Sequence, residues 1–455
     1  MVGSLTGWSR RKLFALPVPT ANLTDFPNCI KIIADGKIGA ACRADGFDIR
    51  FTAVDGITLL PYERESFAVA GGEATGIFWV KSDVAMAGTY IWLYYGNLSA
   101  TDGENHEAVW NANYKLVAHM NDLTTSTIHD STSNHNNGAK LAANEPIEAA
   151  GKIGKGQDFD GANDYISVGD GASLQFGTGS FTVEGWVNQA GYAGILEKRS
   201  GGTGWIFATG PPYTYLILHG DSYAFPGIPA GSFQHFVMVV DRVSNLATLY
   251  MNGTPGTPIN ISATAETSNS PGTNLWLGKS NDPTYVDGVL DEMRVSGATR
   301  SAAWIAYEYA NMNPADGGLT WGEEVSLFME ILLNAYELIV IRAKAVTFRA
   351  NGAATASGNS KLTPVKVTQF KEAEFFLDVT AASGTTPTLN VAIVTKDPIS
   401  GKWFTLVSFT QATGVTTERK VVTGNLGAFL AATWAIGGTG SPTFAFSIGA
   451  VLKAE

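Results

Sequence analysis

The fold of this chain is indicated most clearly by DFDGANDYISVGDGASLQFGTGSFTVEGWV, residues 158–187. Its short runs alternate apolar and polar residues, and Gly, Asp and Asn separate one run from the next. The same pattern returns downstream in HFVMVVD, LATLYMNG and NLWLGK. Short alternating strands between turn residues are typical of an antiparallel sandwich of two sheets. We therefore predict an all-β sandwich in the middle of the chain.

The composition supports a β-rich protein with several domains. The chain has 455 residues, of which 51 are glycine and only 16% are charged. A length of this size suggests about three domains at roughly 150 residues each. The net charge of -11 argues against a nucleic-acid surface, because phosphate binding needs a basic face.

Neither the cysteines nor the apolar segments indicate a cellular compartment. Cys29 and Cys42 are the two cysteines of the chain, and they are either two buried thiols or a disulfide. The first twenty residues have a short apolar run broken by Pro17 and Pro19, so we expect a first strand and no standard export signal. Charged residues interrupt the apolar segment 325–341, which argues against a membrane helix.

Residues 1–113 form the first predicted module. The run DGFDIRFTAVDGITLLPYERE alternates and breaks at Asp-Gly pairs, as strands joined by tight turns do. At GFDIRFT, TLLPYE and YYGN this module resembles a domain of unknown function found in prokaryotic surface proteins and phage structural proteins. The resemblance implies a context for the protein and no particular chemistry.

Residues 114–323 form the central module. The segment NANYKLVAHMNDLTTSTIHDSTSNHNNGAKL leads into it, and a first strand is predicted near 115–120. With the motifs quoted above in the same order, the module resembles laminin-G-like, concanavalin A-like jelly rolls. Aromatic residues at strand spacing are expected to pack in its core; they are Trp186, Phe236, Tyr250 and Trp276.

Residues 324–344 are predicted to be an apolar linker or helix, which follows a short helix at SAAWIAYEYANMNP. Apolar residues recur at helical spacing, namely Val325, Phe328, Leu332, Ala335 and Ile339. The alternative is that residues 336–345 already belong to a strand of the last module. A helix with more than one apolar side would be buried between domains or against copies of itself, and a trimer is one such arrangement.

Residues 345–455 form the last module, a small β-sandwich punctuated by Gly and Pro. The runs FFLDVTAASGTTPTLNVAIV, GKWFTL and TWAIGGTGSPTFAFSIG resemble a small module that recurs in phage virion proteins associated with capsids and tails. That resemblance implies attachment to a virion or oligomerisation.

No catalytic constellation is recognisable in the sequence. The Glu-x-Asp-x-x-Glu pattern of laminarinase-type glucanases is missing, and Glu63 and Glu65 are expected on a solvated strand face beside Arg64. The six histidines have no spacing typical of zinc ligands; they are His106, His119, His129, His135, His219 and His235. Nucleophile elbows and phosphate loops are missing as well. We therefore predict a protein that is not an enzyme.

Two kinds of binding site are predicted instead. The jelly-roll resemblance implies one structural calcium ion, with Asp160 and Asp291 as ligands and Asn163 and Asp164 as weaker candidates. The alternative is that Asp160 caps a turn and Asp291 pairs with an arginine. A carbohydrate site would use loop aromatics, because rings stack on sugar faces; the candidates are Tyr192, Trp205, Tyr213, Tyr215, His219, Tyr223 and Tyr285. These aromatics alternatively cover the edges of the sandwich.

From the three modules together we predict a structural component of a tailed-bacteriophage virion, a capsid decoration or tail-associated protein. Its partners would be other virion proteins, and its lectin-like module would lie on the virion surface and bind glycans. No nucleic acid or membrane partner is expected. The alternative is a secreted prokaryotic cell-surface adhesin or carbohydrate-binding protein.

Overall fold

The computed structural model describes residues 3–141, 143–263, 269–282, 284–327, 343–368, 370–397 and 400–453. The chain divides into two compact units, Met1–Phe328 and Met329–Glu455. Strands dominate both units, which confirms the predicted all-β class. Among the described residues, no helix is long and apolar enough to cross a membrane.

The first unit begins with two small antiparallel sheets, which we call the N-terminal module. Its elements are β1 Arg10–Ala15, β2 Leu23–Asp35, α1 Gly36–Gly39, β3 Arg50–Thr52, β4 Tyr62–Ala70, β5 Glu73–Val84, β6 Tyr90–Tyr95 and α2 His106–Val109. One sheet has the order β2-β5-β4, and the other contains β1, β6 and β3. The predicted first strand is thus present. Cys29 is buried and Cys42 half-buried, and both are free thiols.

A two-sheet sandwich follows, as predicted. Its strands are β7 Tyr114–Ala118, β8 Ala139–Lys140, β9 Ile147–Ala150, β10 Lys155–Asp160, β11 Ile166–Gly169, β12 Phe181–Gln189, β13 Ala193–Ser200, β14 Thr203–Thr209, β15 Tyr213–Leu218, β16 Asp221–Pro226, β17 Gln234–Asp241, β18 Leu246–Met251, β19 Thr254–Pro255, β20 Ile259–Asn260, β21 Leu275–Leu277 and β22 Asp287–Ser296. A 3-10 helix spans Ala172–Leu174.

The two sheets of the sandwich have different neighbours. We call the seven-stranded sheet β16-β15-β14-β13-β21-β11-β8 the front sheet. The nine-stranded back sheet has the order β19-β18-β17-β12-β22-β10-β9, with β7 beside β22 and β20 beside β18. Inward-facing residues of both sheets, such as Phe207 and Phe236, form one core between them.

The segment after the sandwich returns to the N-terminal module. Helix α3, Ala302–Met312, begins at the capping Ser301, and β23, Thr320–Ser326, pairs with β1 in the sheet β23-β1-β6-β3. Val325 therefore lies in a strand, where the sequence predicted a linker or helix. Residues 328–342 of that predicted helix lie outside the described residues.

The N-terminal module packs on the outer side of the back sheet. Trp186 of β12 and Trp304 of α3 belong to the same buried cluster as Phe26 and Trp79 of the N-terminal module. Asn311 of α3 also donates to the backbone oxygen of Cys29. The two predicted modules therefore share a core, and the back sheet is covered while the front sheet is not part of this contact.

The second unit is a separate small sandwich. Its strands are β24 Ala343–Ala354, β25 Gly358–Asn359, β26 Val365–Lys366, β27 Glu372–Ser383, β28 Thr388–Lys396, β29 Trp403–Ser408, β30 Thr416–Thr423, β31 Phe429–Gly437 and β32 Thr443–Lys453. Sheets β24-β32-β27-β30 and β25-β31-β28-β29 enclose a core of its own, with β26 beside β31. A small β-sandwich was predicted here.

Candidate functional site

The outward side of the front sheet, which we call the front face, collects aromatic and polar side chains. Successive residues of a strand point to opposite sides of a sheet. Phe207 and Leu216 point into the core, so their neighbours Ala208 and Tyr215 point outward. Outward-pointing residues of β13, β14, β15 and β21 therefore build this side of the sheet, although Ile206 and Ala208 of β14 are buried there.

Three tyrosines meet at one end of the front face. Tyr215 of β15 lies between Tyr213 and Tyr192, with ring centroids 6.1 Å and 6.0 Å away. Tyr192 is 43% exposed and Tyr213 is 52% exposed, whereas most aromatic side chains of the sandwich are buried. Tyrosine rings are stiff and amphipathic, so exposed rings of this kind lose little conformational entropy when they bind a ligand.

A polar group lies beside the tyrosines. Glu197 of β13 is completely buried, and it accepts hydrogen bonds from Arg199 Nε at 3.2 Å and from Asn281 N at 2.8 Å. Arg199 also binds Asp282, whose side chain is 80% exposed. Glu197 thus fixes the loop of Asn281 and Asp282 over the sheet, and burial raises the pKa of its carboxyl.

The far end of the front face carries a second aromatic group. Trp276 of β21 points outward because its neighbours Leu275 and Leu277 point into the core. Lys279 lies against the rings of Trp276 and Tyr165, and Tyr285 is its cross-strand partner. Trp276, predicted as core packing, is therefore only half-buried and belongs to the front face.

The predicted carbohydrate residues separate into two sets. The front face contains Tyr192, Tyr213, Tyr215 and Tyr285. Trp205 is fully buried beside Phe181, and Tyr223 pairs with the inward-pointing Leu216 and packs on the core. His219 lies in the turn after β15 with a positive φ of 47°. Trp205 and Tyr223 thus face the interior, where they cannot stack on a sugar.

Trp205→Ala is expected to destabilise the sandwich rather than remove a ligand contact. Removing a buried indole leaves a cavity, and such substitutions cost about 3–5 kcal/mol. Urea unfolding of the variant checks this expectation. A Trp205→Ala protein that unfolds like the wild type but no longer binds a ligand would contradict it.

Of the four predicted calcium ligands, Asp291 lies apart from the other three, which share one turn. Asp160 Oδ1 accepts from the backbone of Ala162 and Asn163, which is a turn, and Asp164 Oδ2 accepts from the backbone of Asp160. Asp160 pairs with Asp287 on β22, so Asp291 lies four residues further along that strand, about 13 Å away at strand spacing. Asp291 is fully buried and accepts from the backbone of Ile153. A calcium ion remains a prediction, and only for the turn at Asp160 and Asp164.

A second charged cluster lies between the N-terminal module and the back sheet, and we call it the junction cluster. It contains Glu63 and Glu65 of β4, His119 after β7, Glu184 of β12, Asp291, Glu292 and Arg294 of β22, and Glu308 of α3. His119 Nδ1 is 2.8 Å from Glu292 and its Nε2 is 3.2 Å from Glu63. Arg294 binds Glu292 at 2.7 Å and Glu308 at 2.8 Å.

The junction cluster corrects the prediction of a solvated face for Glu63 and Glu65. Glu63 accepts from Trp110 Nε1 and Ser131, and Glu65 accepts from Trp79 Nε1 at 2.8 Å. Only Arg64 between them points away, toward Asp102. Alternating charge had suggested exposure, but a second sheet covers one side of β4.

Burial controls ionisation in this cluster. Burial, with Glu292 nearby, raises the pKa of Glu65 to about 8, and burial with Glu184 nearby raises that of Glu308 to about 8. Burial by itself would lower the pKa of His119, but Glu292 and Glu63 outweigh it and raise that pKa well above 6.5. Glu65, His119 and Glu292 are close enough together to hold a metal ion. His119 is already hydrogen-bonded to Glu292, and Glu65 accepts from Trp79, so we interpret the cluster as an ion-pair network.

Sequence reasoning missed the polar part of the front face and the junction cluster. The residues concerned on the front face are Tyr165, Glu197, Arg199, Trp276, Lys279, Asn281 and Asp282. A signal for Glu197 and Arg199 was present, since they have the two-residue spacing of one strand face in ILEKRS. Nothing local joins Asn281 to Glu197, 84 residues away.

Two family models match separate parts of the first unit. Residues 160–306 match the family model of the concanavalin A-like lectin/glucanases superfamily, and residues 45–136 match a domain of unknown function, DUF2341. These matches confirm the two resemblances seen in the sequence for the first and central modules. No curated protein matches the chain.

Several solved structures are similar to the chain at low identity. The binding domain of Paraclostridial Mosquitocidal Protein 1 has 12% identity and a TM-score of 0.36, with 64% of this chain and 63% of that chain covered. The receptor binding domain of botulinum neurotoxin C/D mosaic serotype has 12% identity and a TM-score of 0.35, covering 44% of this chain and 51% of that one. Domain 4 of AbnA, an extracellular arabinanase from Geobacillus stearothermophilus, was solved with arabinotriose. It has 20% identity and a TM-score of 0.34, with 44% of this chain and 99% of that chain covered. The chain thus spans between about half and two thirds of the length of the first two.

Proposed function

We propose that this protein binds glycans through the front face and does not cleave them. The observation that carries the proposal is the group of Tyr192, Tyr213 and Tyr215 beside the polar group of Arg199 and Asp282. Aromatic rings with a few fixed polar groups are the usual composition of a carbohydrate site. The match of residues 160–306 to a lectin and glucanase superfamily supports the proposal.

The location of this group supports the proposal as well. The N-terminal module and α3 cover the middle of the back sheet, where outward residues such as Trp186, Val237 and Val239 are buried. On the front face the loop of Asn281 and Asp282 covers Glu197, whereas two of the three tyrosines remain exposed. Tyr192 and Tyr213 are therefore accessible to a ligand from solution.

Binding to an array of oligosaccharides tests the proposal. The double variant Tyr192→Ala/Tyr215→Ala is expected to weaken binding at least about tenfold, which corresponds to about 1.4 kcal/mol. Tyr90→Ala is the matched control, because Tyr90 is 50% exposed on the N-terminal module. Wild-type protein that binds no glycan, or a double variant that binds as well as Tyr90→Ala, would overturn the proposal.

A binding role without hydrolysis is favoured by the carboxylates of the front face. Glycoside cleavage uses two carboxyl groups on either side of the scissile bond. Glu197 is buried and its oxygens accept from Asn281 and Arg199, so it cannot approach a sugar. Products released from a bound oligosaccharide would contradict this part of the proposal.

We further propose that the second unit attaches the protein to a phage virion, as a capsid decoration or tail-associated protein. The resemblance of FFLDVTAASGTTPTLNVAIV and its neighbouring runs to virion modules supports this role, and so does the division into two units. Immunogold labelling of intact particles with an antibody to the sandwich tests it. Labelling of prokaryotic cell surfaces instead would favour an adhesin.

A further inference from the structure

Lys279 occupies an unusual position at the far end of the front face. Its Nζ lies 3.6 Å from the ring centroid of Tyr165 and 3.9 Å from that of Trp276. Two rings so close on one ammonium group hold it by cation–π attraction, and they restrict the freedom of a long side chain. The positive charge of Lys279 is therefore fixed in place on this face.

No carboxylate neutralises Lys279. Among the described residues, no Asp or Glu oxygen lies within 4.0 Å of its Nζ. Glu197 is near enough to influence it, but the oxygens of Glu197 already accept from Arg199 and Asn281. Lys198, by contrast, points inward and binds Asp170. Partial burial lowers the pKa of Lys279, so a negative charge brought by a ligand would stabilise its ammonium form.

Tyr215 and Lys279 are separated by several strands, whereas Tyr192, just before β13, lies nearer to Lys279. Tyr215 pairs with Ala208, and Ala208 pairs with Gly194. A Cβ added to Gly194 would lie 2.7 Å from Cβ of Ser280, the residue after Lys279. Three strand spacings of about 4.8 Å make roughly 14 Å between the two ends. A single sugar cannot touch both ends, whereas an oligosaccharide running across the strands can.

We infer that the ligand of the front face is an acidic oligosaccharide, whose sugars stack on the tyrosines and whose carboxylate or sulfate group binds Lys279. This inference rests on the glycan binding proposed above. The net charge of -11 opposes non-specific binding of anions, so a preference for acidic ligands would come from a local cation. Arg199 is less suitable, because it already binds Glu197 and Asp282.

The test uses a panel in which each uronic-acid or sulfated oligosaccharide has a neutral counterpart with the same backbone. Wild-type protein is expected to bind the acidic members at least about tenfold more tightly, and less so at high salt because surface charges are screened. Lys279→Gln is expected to abolish this difference while binding of the neutral members is unchanged, and Lys279→Arg to retain it. The uronic and sulfated members show which anion is bound.

The controls separate this inference from the proposed function. Lys155→Gln removes a lysine that is 57% exposed on the back sheet, and it should leave the preference intact. Thermal unfolding of Lys279→Gln shows whether the fold is retained. Equal binding of neutral and acidic members by the wild type overturns the inference and leaves glycan binding standing. Failure to bind any member overturns both.

Discussion

Replacing Arg294 by methionine is expected to destabilise the first unit by about 3–5 kcal/mol, because the substitution leaves two buried carboxyl groups without their cation. Arg294 binds Glu292 and Glu308, and each of the three side chains is 1% exposed. Its guanidinium also lies 4.4 Å from the ring centroid of Trp79, which the N-terminal module contributes. Urea unfolding at neutral pH measures the change.

Two further variants show whether charge causes this loss. Lys37→Ala breaks an ion pair whose side chains are 57% and 93% exposed, and it should change stability by no more than about 1 kcal/mol. Adding Glu292→Gln and Glu308→Gln to Arg294→Met should restore part of the lost stability, since neutral amides replace the two buried carboxyl groups that had lost their cation. An Arg294→Met protein as stable as Lys37→Ala would refute the role of the network.

The first unit is also expected to lose several kcal/mol of stability between about pH 5 and pH 8. Glu65 and Glu308 keep their protons in the folded state up to a pKa of about 8, while in the unfolded chain they ionise near 4.5. His119 acts in the same direction, because its folded pKa lies well above 6.5. The unfolded state then holds fewer protons over this interval, so stability falls as pH rises. Each unit of pKa displacement corresponds to about 1.4 kcal/mol.

Chemical denaturation at a series of pH values measures this slope. Glu65→Gln should flatten it, because the amide cannot ionise and its oxygen can still accept from Trp79. Burial by itself would raise the pKa of Glu63, but His119 outweighs it and lowers that pKa. The contribution of Glu63 to stability is therefore lost only at acid pH. Stability that rises from pH 5 to pH 8 would contradict the assigned protonation states.

Much of the fold could be predicted because it depends on local patterns. Alternation and turn residues identified the sandwich, and a short helix was predicted at SAAWIAYEYANMNP, where α3 lies. Strand β23 was not predicted, because TWGEEVS has no pattern that distinguishes it from the start of a helix. Its pairing with β1 joins residues more than 300 positions apart, such as Arg10 and Ser326.

The candidate site could be predicted only in part. Tyr192, Tyr213 and Tyr215 were identified because loop aromatics are plausible sugar contacts. Trp205 and Tyr223 are surrounded by similar residue types in the sequence, but their positions in the strand register turn their side chains toward the core. A shift of one residue reverses the face of every side chain in a strand, so composition alone could not separate the two sets.

The sequence by itself determined the class of the protein, since periodicity and turn residues act within a few positions of each other. It also indicated the central sandwich by its motifs. The tertiary structure alone decided which sheet the N-terminal module covers, because residues of that module and of α3 pack against the back sheet and not against the front sheet. It decided too that the side chains of Glu63 and Glu65 are buried, since their partner His119 follows β7 in the neighbouring sandwich. Contacts between distant segments carry no local pattern, and both the front face and the junction cluster depend on them.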